Sequence, residues 1–333
     1  MSYKFAKQLR GRQPFMQIEH LHYILDIYIM RSISAASRHL HIVQTTLSAA
    51  VKSVEDEVGF PVFKRTPAGV VLTEKGKALL DLSWKVTANY ESLMSMRDHS
   101  DDSPQFFKVL ISPVLPPVTL AGIAKRFEQF NSFGNIAFEE HHSMKIPPAI
   151  AKRRAGIGFV ILGKQQFIRL QNNYVPDEVA VELLYEDELS CIVASDSPIA
   201  EKKSITVSEM KELALVFPSS PQDSGSILTE LSSKLTDFCI LPDISLLLAA
   251  VARHGFATIL PHKTVENSIF LRNGECCSIP IIDEHYSASV CAGLCSRPFD
   301  RLTRHERFVF CCIRDLCSEK QKSAEENASE VLT

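Results

Sequence analysis

The stretch from Ser34 to Gly59, SAASRHLHIVQTTLSAAVKSVEDEVG, restricts the possible folds of this chain more than any other. Leu47, Val51, Val54 and Val58 recur at i, i+4, i+7 and i+11, which places them on one side of a helix. Gln44, Ser48 and Lys52 fall on the opposite side, a polar face that a compact core does not require. Upstream, Ser34 is the expected N-cap of a shorter helix in which Ala35, Ala36 and Leu40 permit a close helix crossing. Two short helices around a tight turn, the second with an unclaimed polar face, imply a helix-turn-helix whose second helix enters a DNA major groove.

The flanks extend this reading. Ile18, Leu21, Ile24, Leu25 and Tyr28 predict a first helix beneath the pair. After Gly59, Val62 and Phe63 precede Lys64-Arg65-Thr66, a Pro67-Ala68-Gly69 turn signal, and Val70, Val71 and Leu72. That rhythm predicts two short strands, a wing that brings Lys64 and Arg65 to the DNA backbone or minor groove. Thr73 then caps a predicted helix running to about Arg97. Leu79, Val86 and Leu93, with Leu82, Asn89 and Met96, form an a/d heptad seam that calls for a partner helix, and the polar Asn89 fixes its register. Residues 98–104, DHSDDSP, read as a polar hinge.

Length and charge agree with this division. A chain of 333 residues is expected to hold more than one core. Residues 1–80 carry eleven Lys and Arg against six Asp and Glu, a net +5 within a chain whose total is −3. A basic end on an acidic body suits a nucleic-acid contact at that end. Residues 1–15 have four basic residues and no apolar core of a signal peptide, so they read as a basic arm, with Met16 an alternative start. No apolar run approaches the length of a membrane span, and a cytoplasmic location is expected. The nine cysteines are odd in number and lack paired CxxC units, which favours reduced thiols over a metal or disulfide framework, with a redox sensor as the sharper alternative.

From Gln105 onward, apolar strands alternate with helices, as in α/β folds. Strands are expected at 107–112, 136–140, 158–162, 189–194, 213–217 and 289–295, and helices at 120–130, 207–211, 226–234, 244–254 and 303–317. The economical arrangement is two lobes with a cleft between them. Lobe I spans about 105–177 and 281–317, lobe II about 178–280, and 318–333 is a polar tail.

Catalytic signatures are missing: there is no P-loop, nucleophile elbow, GxGxxG or HExxH. His20, His22, His39 and His41 and the His141-His142 pair lack further ligands at metal spacing, and nothing places Asp243 beside Glu284. Neither an enzyme nor a resident cofactor or metal is expected.

From about Met16 to Leu316 the sequence resembles the LysR family of bacterial transcriptional regulators. The most specific part is Ile18 to Leu80: IEHLHYILDI, SISAASRHLHIVQTTLSAAVKSVEDEVGFPVFKR and LTEKGKALL. VLISPVLPP, LLYEDELSCIVASDSPIA and LLLAAVARHGFATILP are concordant in the second half. The resemblance implies an N-terminal winged helix-turn-helix (16–72), a long linker helix that pairs subunits (73–97), and a two-lobed periplasmic-binding-protein-like effector domain. Its implied partners are double-stranded DNA, a small-molecule effector (an organic anion by preference), a homodimer or homotetramer, and RNA polymerase.

Carried over by position, the DNA-facing set is Ser34, Gln44, Thr45, Thr46, Ser48, Ala49 and Lys52, with Lys64, Arg65 and Thr66 in the wing. Three positions depart from the family pattern: Thr45 replaces the usual proline, while Ala49 replaces a frequent arginine and Ala68 a frequent basic residue. The missing arginine removes a contact worth roughly 1–3 kcal/mol of base discrimination. It leaves open a compensating role for Lys4 to Arg12, or an interaction protein that has lost DNA binding. Ser112, in the ISPV turn, matches the family's effector-contacting loop, and the helix after it offers N–H groups to an anion. Ser143, Ser219 and Ser220 are further effector candidates by position.

Overall fold

A computed structural model of the chain describes residues 16–67, 69–95, 106–128, 135–173, 178–219, 238–303 and 306–317. The basic arm, Ala68, Met96, the hinge, Ser220, the helix expected at 226–234 and the polar tail lie outside the described residues. The chain divides into two compact units, with described residues up to 95 in one and those from 106 in the other.

The first unit opens with α1 (Ile18–Met30), α2 (Ile33–His39) and α3 (Gln44–Val58). Ile27, Ala36, Leu47 and Val51 form its buried centre, with Tyr23, Met30, Ile33, Leu40, Ile42, Phe63 and Val70 packed around them. Ala36 is fully buried, which is the close helix crossing its small side chain permits. The cap of α2 is Ser32 rather than the expected Ser34: Ser32 Oγ accepts from the Ala35 amide at 3.2 Å. The helix therefore begins earlier than its apolar spacing suggests, which places Ser34 inside it and frees its hydroxyl for another partner.

The wing is β1 (Phe63–Thr66) antiparallel to β2 (Gly69–Leu72). Two anchors hold it. Glu55 Oε1, on α3, accepts from the Val62 and Phe63 amides at 2.7 and 3.3 Å. The Val70 amide donates to the Arg31 carbonyl at 3.0 Å. Gly69 sits at φ +121°, and a Cβ there would lie 2.2 Å from that carbonyl, so only glycine fits. Next, Thr73 caps α4 (Glu74–Ser95): its Oγ1 accepts from the Gly76 amide at 2.9 Å and donates to the Pro61 carbonyl at 2.7 Å. α4 packs on α1 through a face distinct from the heptad, in which Leu80, Ser83, Trp84 and Thr87 are buried.

The strands of the second unit are β3 (Phe106–Ile111), β4 (Asn135–Glu140), β5 (Ile157–Gly163), β6 (Ala180–Ala194), β7 (Val216–Phe217), β8 (Cys239–Ile240), β9 (Thr258–Pro261), β10 (Cys276–Pro280) and β11 (Ser289–Ser296). Most join one mixed sheet in the order β10-β6-β11-β5-β3-β4, with β9 also paired to β6. β3 runs parallel to β4 and β5, while β11 runs antiparallel to β5 and β6. β7 and β8 form a separate short parallel pair, so the strand expected over 213–217 is only two residues long.

The sequence signals β6 only over 189–194, yet the strand begins nine residues earlier. Its N-terminal part pairs with β11, from Ala180↔Ser296 to Glu188↔Ser289, and its C-terminal part pairs with β9 and β10. One long strand thus serves both lobes, and the lobe division drawn at about residue 178 precedes the exchange of partners near Leu189.

Helices cover the sheet: α5 (Pro117–Glu128), α6 (Ile146–Ala151), α7 (Lys164–Asn173), the short α8 (Val207–Met210), α9 (Ile244–His254), α10 (His262–Val265), α11 (Ile269–Arg272), and a C-terminal helix, α12, over 306–317. α6, α7, α10 and α11 are additions to the helices expected from the sequence. Asp243 has a structural role, capping α9 by accepting from the Leu246 amide at 2.8 Å. One core gathers around Leu110, Ile150, Val160, Leu162 and Phe167. Another centres on Ile192, Leu247, Val251 and Leu260 under α9.

Candidate nucleic-acid interface and ligand cleft

Leu47, Ala50, Val51 and Val54 turn α3 inward, with Val58 half-buried, and this fixes what the helix shows to solvent. Gln44, Thr45, Thr46, Ala49 and Lys52 are exposed, and Ser48 is half-buried at the edge of the same face. The N-cap residue, Val43, has no side chain able to cap and is 67% exposed. Gln44 and Thr45 occupy the first turn, where amide groups have no intrahelical acceptor and the helix dipole is positive. That end of the face suits an anion, and Lys52 adds a positive charge two turns further along. The face also carries hydrogen-bonding groups that match base edges: the Gln44 amide and the Thr46 and Ser48 hydroxyls. Ala49 interrupts it with a methyl group, suited to a thymine methyl rather than a guanine. Ser34 Oγ donates to Gln44 Oε1 at 3.1 Å, joining α2 to the first residue of α3.

On the wing, Lys64, Arg65 and Thr66 are exposed. Thr66 Oγ1 donates to the Gly69 carbonyl at 3.1 Å, so this hydroxyl closes the turn.

Most of the described part of the seam on α4 is exposed. Leu82, Val86 and Leu93 are 58%, 48% and 60% exposed, Asn89 is exposed among them, and Leu79 is half-buried. Tyr90 and Met94 widen the stripe. Val86 and Leu93, seven residues apart, and Leu82 thus leave an apolar stripe of this helix exposed.

In the second unit, a solvent-open cleft lies among the loops after β3, β4 and β7 and residues of β5, β6, β9 and β11. Ser112, Ser143 and Ser219, three of the four expected serines, line it together, and Ser220 lies outside the described residues. Ser143 Oγ accepts from the Ile161 amide at 3.1 Å, which orients the hydroxyl and leaves its proton for an acceptor in the cavity. Ser112 is buried, and its amide donates to the Phe159 carbonyl at 3.0 Å.

His142 also lines the cavity, and its Nδ1 accepts from the Met144 amide at 3.4 Å. Sequence reasoning treats the histidine pair only as a metal question and misses this position, although His142 directly precedes Ser143. The remaining walls are apolar, chiefly Val114, Ile161, Leu189, Phe217, Ile259 and Val290. None of the lining residues is Lys or Arg.

The contribution expected from the helix after Ser112 is not what the structure shows. α5 starts at Pro117, whose ring leaves its first position without an N–H, and no residue of α5 lines the cavity. A different link leaves the Ser112 loop. Thr264 Oγ1, on α10, donates to the Val114 carbonyl at 2.6 Å, and Val114 packs on the core beneath α9. The Ser112 loop is thereby tied to the opposite lobe.

The nine cysteines are free thiols. Burial pushes Cys191 and Cys295 up to about 12 and Cys276 to about 11, and raises Cys277 and Cys291. These five stay protonated near neutral pH and are weak nucleophiles, which goes against redox sensing through them. Among the described residues, no group of three or more His, Cys, Asp or Glu is arranged to hold a metal. No helix among them is long and apolar enough to cross a membrane.

Comparison with known proteins gives concordant matches. The family described as "Bacterial regulatory helix-turn-helix protein, lysR family" matches residues 18–77, and the "LysR substrate binding domain" matches residues 107–316. The uncharacterized HTH-type transcriptional regulator YwqM of Bacillus subtilis (strain 168) is 23% identical over 245 residues, 72% of this chain and 80% of the relative. The HTH-type transcriptional regulator CitR of the same organism is 22% identical over 203 residues, 61% of this chain and 66% of its own length. Among solved structures, full-length BenM is 18% identical with a TM-score of 0.47, covering 92% of this chain and 98% of that one. A full-length OxyR variant from Pseudomonas aeruginosa is 17% identical with a TM-score of 0.46, covering 90% and 98%.

Proposed function

From the premise that this chain belongs to the lysR family of bacterial regulatory helix-turn-helix proteins, we propose how its own residues divide the work of a DNA-binding transcriptional regulator with an effector-binding domain. The observation that carries the proposal is the exposed polar face of α3, set beside an exposed basic wing in one small unit. Gln44, Thr46 and Ser48 meet base edges, and Lys52, Lys64 and Arg65 neutralise phosphates. The free amides of the first turn of α3 take a further phosphate.

The Leu82, Val86 and Leu93 stripe of α4 pairs with the same stripe of a second subunit, so two DNA-reading helices address a site with two-fold symmetry. In the cleft, a small organic acid places its carboxylate against the Ser112 and Ser143 hydroxyls and its apolar body against Ile161, Phe217 and Ile259. Its arrival biases the two lobes, and through them the spacing of the paired DNA-binding heads in the cytoplasm.

Gel retardation on the DNA flanking the gene tests this division. Lys52→Ala and Arg65→Ala should each weaken binding to all sequences alike and flatten the salt dependence by about one phosphate's share, a slope change of ~0.9. Unchanged affinity and salt slope in both variants would remove these residues from the interface.

A further inference from the structure

One side-chain bond on the DNA-reading face has no part in the division of work proposed above. Ser34 and Gln44 are ten positions apart on different helices, and Ser34 Oγ donates to Gln44 Oε1 at 3.1 Å. Ser34 is itself fixed. It lies in the first turn of α2, close behind the Ser32 cap, and its carbonyl accepts from Ser37 Oγ at 3.1 Å. Gln44 is the first residue of α3 and is exposed.

A glutamine amide has two settings that differ only in which end carries the oxygen. In one setting Oε1 and Nε2 match the N6 donor and N7 acceptor of adenine, and in the reverse setting the amide meets other edge patterns. A freely turning glutamine therefore reads more than one base. The Ser34 hydroxyl can donate to Oε1 or accept from Nε2, so its bond does not choose between the two ends; it fixes where the amide sits. Carbonyl oxygen has two lone pairs, so the Ser34 bond leaves Oε1 able to accept from a base as well.

On the reading of α3 as the DNA-reading helix, we infer that Ser34 is a positioning residue that holds the Gln44 side chain in one place, so that Gln44 contacts a single base position where an untethered glutamine would sample several. The chain thereby gains discrimination at one position of each half-site. This bears on the neighbouring Ala49, which offers no polar contact of its own.

The test is selection from a randomised duplex library with the full-length protein and its Ser34→Ala, Ser34→Thr and Gln44→Ala variants, with thermal melting to verify folding. Ser34→Ala should lower discrimination at a single position in each half-site by roughly three- to tenfold, the worth of one net hydrogen bond. Other positions should keep their preferences. Ser34→Thr, which keeps the hydroxyl, should retain the wild-type preference, and Gln44→Ala should lose it at that same position. A Ser34→Ala preference identical to wild type would overturn the inference, as would a uniform loss of affinity, which marks a plain phosphate contact. If the wild-type protein enriches no sequence at all, it is the DNA-binding reading of α3 that fails.

Discussion

Glu209 shows how a single side chain sets a pH window. It closes a capping box with Thr206 at the start of α8, and the hydrogen bond from Lys202, then those from the Thr206 amide and hydroxyl, hold its carboxyl at about 2 instead of 4.5. A carboxyl depressed on folding contributes stability that is complete above pH 4.5 and is lost as pH falls toward 2. Glu209→Gln keeps the cap and removes the charge. Its melting temperature should fall below wild type at neutral pH and converge with it by about pH 2 in a pH series of thermal melts. Thr264 gives a test of the proposed ligand response. Thr264→Val deletes the bond to the Val114 carbonyl, so the DNA response to ligand should weaken while ligand-free DNA affinity stays unchanged in gel retardation. Residues of this kind are only partly legible in the sequence. Ser112 and Ser143 stand out because turn serines after strands are recognisable, whereas the hydroxyl of Thr264 meets a carbonyl 150 positions away, a pairing no local pattern announces.

Among the elements, helices with one apolar stripe are the most legible. α1 and α9 follow their spacing closely, and α3 starts at the glutamine where its polar face begins. α4 is more instructive because it carries two stripes. The heptad of Leu79, Val86 and Leu93 is visible in the sequence, but the face buried on α1, with Leu80 and Trp84, is masked by the polar Ser83 and Thr87 within it. α7, KQQFIRLQNN, has only Phe167 and Leu170 buried, too few for a period to emerge. In β6, Leu189–Ala194 reads as a buried run, while Glu182, Glu186 and Glu188 hide the strand character of the half before it. The exposed stripe of α4 yields a prediction about assembly. Leu82→Glu combined with Leu93→Glu should shift the sedimenting species to monomer without lowering the monomer's stability, since both side chains are exposed. An assembly of undiminished mass would remove the α4 stripe from the subunit interface.

For the whole molecule, charge and pattern alone separate a basic, helical end from a larger α/β portion, and the described residues fall into two compact units, those up to 95 and those from 106. The reason is physical: charge, heptad spacing and a break in hydrophobic pattern are long-range averages that survive local ambiguity. The cleft is less legible because it is built from loops separated by more than 100 residues, brought together by the parallel and antiparallel pairings of one sheet. The central claim is that one end of this chain reads a two-fold DNA site while the other responds to a small organic acid. Footprinting the full-length protein on the DNA flanking its gene, with and without a panel of organic acids, tests both halves at once. The expected result is protection with dyad symmetry whose extent or spacing changes with at least one acid. Protection of no segment at low salt, or a symmetric footprint that no acid alters and that Ser143→Ala leaves unaltered with every acid, would contradict it.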